Sequence, residues 1–409
     1  MRLLYDIGVR GYKLLIRLAS LRSEKARKWL DGRRNIFSRL KEELPSDKPI
    51  YWFHVASLGE FEQGRPVIEA IRKKEPDVKI LLTFFSPSGY EVRKNYEFAD
   101  YVYYLPLDTP YNVKRFLDIV NPEMAFFVKY EFWYHYLTAL KKREIPTYIF
   151  SAIFRPSQIF FKPWGRWYRK ALQAYNHIFV QNQESLNLLN KFGFTNVSLS
   201  GDTRFDRVGQ IADAAPRLAV LDEFANGKKL VIAGSTWKAD ETLLLEYINS
   251  SEHPVKYVIA PHEVSDKSIQ RITEALDKKY VRFSTAGNGD LEGADVLILD
   301  GYGYLTSVYR YGNLAYIGGG FGSGIHNILE AATFGMPVVF GPNYEKFQEA
   351  LDLLQKKAAF CIHDYDELKS VMDEYLDDDK KLQVTSGLAR DYVSQSRGAS
   401  DLIVRYIFN

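Results

Sequence analysis

The chain has 409 residues, of which 46% are apolar, 26% charged and 15% aromatic, with a formal charge of +3. Its length exceeds one ordinary core and suits two domains of about 150–200 residues, its composition is globular, and so small a net charge gives no reason to expect nucleic acid as a partner. The single cysteine, Cys361, excludes an internal disulfide and a cysteine-based zinc site and suits a reducing compartment.

No run of roughly eighteen apolar residues marks a conventional membrane span. The 28 tyrosines suggest surfaces that meet something amphipathic or sugar-like. The charge is unevenly spread, with twelve Lys/Arg against three Asp/Glu in residues 1–41. Within residues 1–20, Asp6, Arg10, Lys13 and Arg17 fall on one helical stripe, and Leu4, Tyr12, Leu15 and Leu18 on the opposite side with Gly8 and Gly11. A basic amphipathic helix of this kind either lies in an anionic membrane interface or packs on its own domain with a solvated basic face. Charges interrupt its apolar stretch, so a cleaved signal peptide is not expected.

From Ile50 onward strands and helices alternate. Strands are expected at Ile50–Val55, Lys79–Phe84, Tyr101–Leu105, Met124–Val128, Thr147–Phe150 and His177–Val180, with helices opening after Ser57 and at Ser86-Pro87. A second series begins after Gly201, with strands at Lys229–Ala233, Lys256–Ala260, Val296–Leu299, Leu314–Ile317 and Pro337–Phe340. Helices separate these strands, and the chain from Asp366 on reads as mostly helical. Repeated βαβ units imply parallel sheets. A break near residues 201–225 makes the fold class α/β, with two Rossmann-like domains facing across a cleft and an amphipathic N-terminal helix. The boundaries fall at 1–40 for the basic segment, 41–205 for the first domain and 206–409 for the second, whose terminal helix is free to return to the first.

Ligands of open parallel sheets bind beyond the carboxyl ends of the strands. The polar residues expected there are Ser57, Gly59, Glu60, Ser86, Ser88, Lys129, Glu131 and Ser151 in the first half. In the second half they are Gly234, Ser235, Thr236, Pro261, His262, Gly303, His326, Asn327 and Glu330. Glu60 can act as a general base toward a hydroxyl or be an acid favoured by a helix N-terminus. Glu131 can bind sugar hydroxyls, orient a cation, or pair with Lys129. Ala315–Pro342 reads as strand, glycine-rich loop, a helix starting near His326-Asn327, and strand, a build that makes an anion pocket or merely a turn. Glu330, one turn into that helix, can hold a sugar hydroxyl or be a plain helix N-terminal acid.

Asp364-Tyr365-Asp366 matches the D-x-D of metal-dependent sugar transferases, but Asp366 reads better as a helix cap before Glu367-Leu368, so no metal site is expected. No Walker A, H-E-x-x-H or G-x-S-x-G motif is present. Ile153–Lys170 interleaves aromatics with Arg155, Lys162, Arg166, Arg169 and Lys170. That mix serves nucleic-acid stacking or a membrane headgroup region, and the latter agrees with the basic N-terminus.

Five ordered motifs then resemble a family. His54-Val55-Ala56-Ser57-Leu58-Gly59-Glu60, Tyr130-Glu131-Phe132-Trp133, Gly201-Asp202-Thr203-Arg204-Phe205-Asp206, Gly234-Ser235-Thr236 and Gly324-Ile325-His326-Asn327-Ile328-Leu329-Glu330-Ala331 stand in the order of the 3-deoxy-D-manno-octulosonic acid (Kdo) transferases, glycosyltransferase family 30. The resemblance spans nearly the whole chain. It implies a GT-B fold, CMP-Kdo as donor substrate, and the lipid A precursor (lipid IVA) of lipopolysaccharide assembly as acceptor. It also implies inverting, metal-independent transfer, with no cofactor, by a protein held peripherally or by its N-terminus at the cytoplasmic face of the inner membrane. Glu60 matches the family's proposed general base and Glu131 its second functional acid.

Gly234-Ser235-Thr236 and His326-Asn327 through Glu330 match the donor loops; with Arg204, Pro261, His262, Gly303 and Gly324 they form the candidate donor set. Ser57, Gly59, Ser86, Ser88, Lys129 and Arg155 form the candidate acceptor set. The chain departs from the family at Lys129, where an acid is common, at Arg204, where a lysine is common, and at Ser151-Ala152-Ile153, which lacks an arginine unless Arg155 substitutes. The rival readings are a GT-B enzyme using a UDP-sugar, such as an N-acetylglucosamine transferase or an epimerase, and a non-enzymatic two-lobed nucleotide-binding protein.

Overall fold

The computed structural model describes residues 2–45, 48–288 and 291–409. They fall into two compact units, Met1–Arg207 with Arg397–Asn409, and Val208–Ser396.

The first unit is built on seven strands, β1 (Ile50–Val55), β2 (Lys79–Phe84), β3 (Tyr101–Tyr104), β4 (Met124–Val128), β5 (Thr147–Ala152), β6 (His177–Val180) and β7 (Val197–Leu199). All pair in parallel, in the order β3-β2-β1-β4-β5-β6-β7. Side chains alternate across a strand, so each apolar run feeds two cores. Trp52, Leu81, Phe127 and Ile149 enter one, and Phe53, Leu82, Phe126 and Phe150 enter the other. Helices α1 (Arg2–Ala19), α2 (Glu24–Asp31) and α3 (Ile36–Glu43) precede β1, and α4 (Leu58–Lys74) and α5 (Pro87–Arg93) follow β1 and β2. α3 covers the first core with Ile36 and Leu40. α4 covers the second with Phe61, Val67, Ile68 and Ile71, joined by Ile403 and Val404 of the terminal helix Ala399–Phe408.

The first turn of the helix Arg204–Ala214 explains that return of the chain. Asp206 accepts backbone N–H groups from Gly398 at 2.5 Å and Ser400 at 2.7 Å, which caps the terminal helix.

The second unit repeats the plan with β8 (Lys229–Thr236), β9 (Val255–Pro261), β10 (Tyr280–Arg282), β11 (Val296–Ile298), β12 (Leu314–Ile317), β13 (Val338–Phe340) and β14 (Ala359–Cys361). The order is β10-β11-β9-β8-β12-β13-β14, again parallel. In both sheets the winding direction reverses beside the first strand, at β1/β4 and at β8/β12. A crevice opens above the carboxyl ends at such a switch point.

Several expectations are corrected. β7, β10 and β14 were not foreseen: each has three residues on or next to a sheet edge, too few to show a period. The cap of the helix Tyr365–Asp377 is Asp364, which accepts the Glu367 N–H at 2.9 Å, so Asp366 lies in the first turn. The tyrosines are divided: Tyr104, Tyr136, Tyr175, Tyr247, Tyr309 and Tyr316 are fully buried, whereas Tyr12, Tyr111, Tyr280, Tyr302, Tyr304 and Tyr406 are exposed. In Ile153–Lys170, Phe154, Phe160 and Phe161 are buried in the first core, and only Ile159 and Trp164 of its large apolar side chains lie exposed.

α1 buries no residue. It is pinned by polar contacts: the Tyr5 hydroxyl donates to Asp108 at 2.5 Å, and Asp6 pairs with His135 at 2.5 Å. Tyr12 packs onto Trp29 and Phe85, against the expected stripe, while Leu3, Leu4, Ile7, Leu14, Leu15 and Leu18 face out. No helix among the described residues is long and apolar enough to cross a membrane.

Phe53 is fully buried and stacks on Phe126 with centroids 4.4 Å apart. Phe53→Ala is expected to destabilise the first unit by about 3–5 kcal/mol. In denaturant titration its transition should move to lower urea while that of the second unit stays in place; an unmoved first transition contradicts this.

Candidate active site

In the first unit the candidate residues follow the carboxyl ends of β1, β2, β4 and β5. Ser57 is the N-cap of α4 and its hydroxyl donates to Glu60, one turn in, which fixes the carboxylate at the helix start, half-exposed. The next loop lies alongside, since the Ser86 N–H bonds the Ala56 carbonyl at 2.8 Å. There Ser86 caps α5 and shares a 3.0 Å hydrogen bond with Ser88. Gly59 makes no close contact at its Cα, so the chain in front of Glu60 stays open. After β4 and β5, Lys129 and Arg155 gather on Tyr130, Arg155 reaching its hydroxyl at 3.1 Å.

Glu131 is placed differently, being 5% exposed. Its Oε2 lies 2.9 Å from His54 Nε2 and accepts the Trp133 indole N–H at 2.5 Å. On the far side of the ring, His54 Nδ1 faces the Thr83 carbonyl at 3.0 Å, and the Thr83 hydroxyl donates to Phe53 while receiving the Trp52 N–H. Nδ1 also meets the Thr83 hydroxyl at 2.9 Å, and the Trp133 N–H reaches His54 Nε2 at 3.2 Å as well as Glu131. Glu131 is thereby held rigid by groups from three adjacent strands.

Arg204 lies on the first unit. It donates to Asp202 at 2.8 Å through Nε, and Asp202 also takes the Gln63 amide of α4 at 3.1 Å. Thr203 bonds the Ser151 hydroxyl at 2.8 Å and the Gln63 carbonyl at 2.5 Å. The Gly201–Asp206 motif therefore clamps β5, α4 and the terminal helix together.

In the second unit Gly234, Ser235 and Thr236 end β8. Ser235 adopts φ +54°, Lys129 +66° and Ser151 +51°, so three non-glycine residues at strand ends occupy the strained left-handed region. The β12 loop presses against this turn: a Cβ on Gly318 would stand 2.3 Å from the Ser235 carbonyl oxygen, and one on Gly234 1.9 Å from the Tyr309 hydroxyl. Only glycine permits that approach. Asp240 ties the loops, accepting from Trp237 N–H, Gly319 N–H and the Tyr316 hydroxyl, each at 2.9 Å.

His262, which follows Pro261 at the end of β9, stacks on Trp237 at 4.5 Å and on His326 at 4.3 Å. The Trp237 indole N–H donates to His326 Nε2 at 2.9 Å. Asn327 and Thr306 both donate to Glu330, at 2.9 and 3.0 Å. Gly324 (φ +139°) and Gly303 (φ +87°) shape the β12 and β11 loops.

One expectation fails here. The helix after the glycine loop is Leu329–Thr333, starting three residues after His326 and spanning five. The Asn327 side chain takes the Leu329 N–H in a local turn, and so short a helix adds little dipole. Trp237, His54 and Asp240 were not singled out from sequence. The available signals were Trp237 directly after Gly-Ser-Thr and an acid, Asp240, in the first turn of the helix that follows. Among the described residues no group of three or more His, Cys, Asp or Glu side chains could hold a metal ion.

Comparison with known proteins agrees with this geometry. A family model described as "3-Deoxy-D-manno-octulosonic-acid transferase (kdotransferase)" matches residues 30–207. The 3-deoxy-D-manno-octulosonic acid transferase of Aquifex aeolicus (strain VF5) is 29% identical over 353 residues, covering 84% of this chain and 91% of its own. That of Rickettsia bellii (strain RML369-C) is 27% identical over 341 residues, covering 80% and 79%. The solved UDP-GlcNAc 2-epimerase of Neisseria meningitidis bound to UDP-GlcNAc superposes with a TM-score of 0.62 at 14% identity, covering 88% and 99%; that likeness concerns fold alone.

Two doubly wound parallel units define an α/β fold of the GT-B class, and the relatives, all named as transferases of a sugar acid, make the chain a glycosyltransferase. In sequence the chain is similar to the 3-deoxy-D-manno-octulosonic acid (Kdo) transferases, through the family model on residues 30–207 and relatives aligned over most of its length.

Burial and the neighbouring His262 hold the His326 imidazole below the usual 6.5, with Asp240 pulling the other way. The ring is neutral while Nε2 accepts from Trp237. Because the folded value lies below the unfolded one, the stabilisation is complete above the usual value and is lost as pH falls through the lower folded one. NMR titration is expected to place His326 below 6.5, and Trp237→Phe, which removes the donor favouring the neutral ring, to raise it. A fall or no change in that variant contradicts the geometry.

Proposed function

We propose that the chain transfers Kdo from CMP-Kdo to a sugar hydroxyl of a lipid A precursor, in lipopolysaccharide assembly. The observation that carries this reading is the placement of Glu60 at the start of α4, oriented by Ser57, above the switch point of the first sheet. The relatives are named for transfer of this sugar.

The reaction is a single displacement that inverts the anomeric centre. Glu60 takes the proton of the acceptor hydroxyl, the oxygen attacks the anomeric carbon of Kdo, and CMP departs. The second unit binds the donor. With its helix too short to supply a dipole, the leaving phosphate is placed against the glycine loop around Gly318–Gly324, where the chain can approach closely, and the Ser235-Thr236 turn. His262, His326, Asn327 and Glu330 orient the donor, with Pro261, Gly303 and Gly324 shaping the loops. Arg204 is the cation assigned to the donor's acidic groups; Ser57, Gly59, Ser86, Ser88, Lys129 and Arg155 line the acceptor's approach. Buried Glu131 acts as a positioning residue through His54 and Trp133. A displacement of this kind needs neither cofactor nor metal.

Glu60→Gln is expected to lower turnover roughly 10²- to 10⁴-fold, with folding and CMP binding retained. Product formation assayed with CMP-Kdo and with UDP-sugars checks both parts: near-normal turnover in the variant removes Glu60 as base, and product from a UDP-sugar alone replaces the donor.

The proposed location is the cytoplasmic face of the inner membrane. Leu4, Leu15 and Leu18 are 63%, 65% and 59% exposed along α1, and Arg10, Lys13 and Arg17 flank them, the pattern of an interfacial helix. In flotation with vesicles containing anionic lipid, the double variant Leu15→Glu, Leu18→Glu should lose most binding, and raised salt should weaken the wild type. Retained binding by the variant contradicts the assignment.

A further inference from the structure

α1 roofs a cavity of about 350 Å³. Its roof is Tyr5, Gly8, Val9 and Tyr12, and its floor is Phe85, Leu107 and Trp133, so no charged side chain lines it. The floor comes from the loops after β2, β3 and β4, the same strand ends that carry Ser86 and Glu131. Trp133 belongs to both places, presenting its ring to the cavity and its N–H to Glu131.

A second pocket of about 400 Å³ adjoins the first and shares Leu107 with it. Its lining is basic: Lys13 and Arg17 of α1 with Arg33 and Arg34 from the turn after α2. Arg33 is enclosed by aromatic rings, 3.8 Å over Trp29 and 4.8 Å over Tyr104. Its hydrogen bonds go to the carbonyls of Leu105, Phe85 and Trp29 at 2.8, 2.8 and 3.0 Å. Among the described residues no carboxylate pairs with Arg33, Lys13 or Arg17. Burial pushes the Arg33 guanidinium down to about 9. A cation held without a counter-charge favours an anion beside it.

An uncharged slot next to a basic pocket matches a molecule with an apolar tail and an anionic head. We infer that these two pockets form one seat for a phosphate-bearing lipid, with a single acyl chain beneath α1 and the phosphate against Lys13, Arg17, Arg33 and Arg34. The seat lies outside the Glu60–Ser57 pair and grips the lipid rather than its reacting hydroxyl. Only the lipid's status as substrate rests on the transfer reading above. α1 is suited to this task, since its outer leucines face a bilayer while the Tyr5–Asp108 and Asp6–His135 contacts keep its inner face over the cavity.

The test is calorimetric titration of the full chain with dodecyl phosphate below its micelle concentration, with no sugar donor present. Saturable binding of one molecule is expected. Dodecyl maltoside, with the same tail and no charge, and inorganic phosphate, with charge and no tail, should each bind more than tenfold more weakly, because each buried methylene is worth about fourfold in affinity. Gly8→Trp fills the roof; a Cβ there meets nothing within 4 Å, so the variant should fold. It should weaken dodecyl phosphate at least tenfold while leaving inorganic phosphate unchanged. Lys13→Ala and Arg17→Ala should each cost about fivefold.

Equal binding by Gly8→Trp and the wild type overturns the tail seat, and maltoside binding as tight as phosphate binding overturns the head seat. If inorganic phosphate binds as tightly as the alkyl phosphate, the site is an ion pocket only and the proposal fails. A chain that seats dodecyl phosphate yet transfers nothing from CMP-Kdo keeps this inference and loses the transfer reading.

Discussion

A parallel sheet covered by helices on both faces buries its central strands, and burial excludes the unpaired polar groups that chemistry needs. In both units that constraint sends reactive groups to the carboxyl ends, where the chain leaves the sheet and turns into a helix. The winding of each sheet reverses beside its first strand, so the loops after β1 and β4, and after β8 and β12, diverge and leave room above them. Glu60 and Glu131 stand at the first of these places, and the Gly234–Thr236 turn and the glycine loop at the second. The core residues, from Phe53 to Tyr316, create the positions that the functional residues occupy.

Keeping those positions requires strain and close approach. Lys129, Ser151 and Ser235 adopt positive φ at three strand ends, a conformation that costs free energy and persists only where neighbours enforce it. Each has such neighbours: the Lys129 N–H donates to the Phe150 carbonyl, Ser151 is tied to Thr203, and Ser235 has Gly318 against its carbonyl. Around Glu131 the enforcement is by hydrogen bonds, with His54, Thr83 and both Trp52 and Trp133 forming one chain from β2 through β1 to the loop after β4. A carboxylate buried in that way is a fixed element of the site, whereas Glu60 is half-exposed and held by a single hydroxyl, which leaves it free to meet a substrate.

Motif residues divide between chemistry and construction in a manner their spacing does not show. Within Gly201–Asp206, Asp202 and Thr203 clamp α4 and β5, and Asp206 caps a helix almost two hundred residues later. The glycines of the β12 loop have a steric role as well as a role toward an anion, because side chains there would strike Ser235 or Gly341. Basic and aromatic residues near the N-terminus likewise have two roles. Arg33 and Trp29 hold the turn after α2 in place, while among the described residues no carboxylate pairs with Lys13 or Arg17.

By itself the sequence determined the α/β class, the two parallel series, most strand positions and the strand-end placement of Ser57, Glu60, Glu131, Thr236 and His326. Those follow from local chemistry: apolar runs of strand length, caps such as Ser86-Pro87, and glycines where helices or loops begin. The ordered motifs carried the family. Tertiary structure alone decided the rest, because each item depends on residues far apart in the chain. It brought His54 to Glu131 across 77 positions, stacked Trp237 with His262 and His326, and shortened the helix expected at His326 to Leu329–Thr333. It also packed Tyr12 onto Trp29 and Phe85 and left the α1 leucines exposed, since the contacts of Tyr5, Asp6 and Tyr12, and not the helix's own apolar stripe, set its rotation.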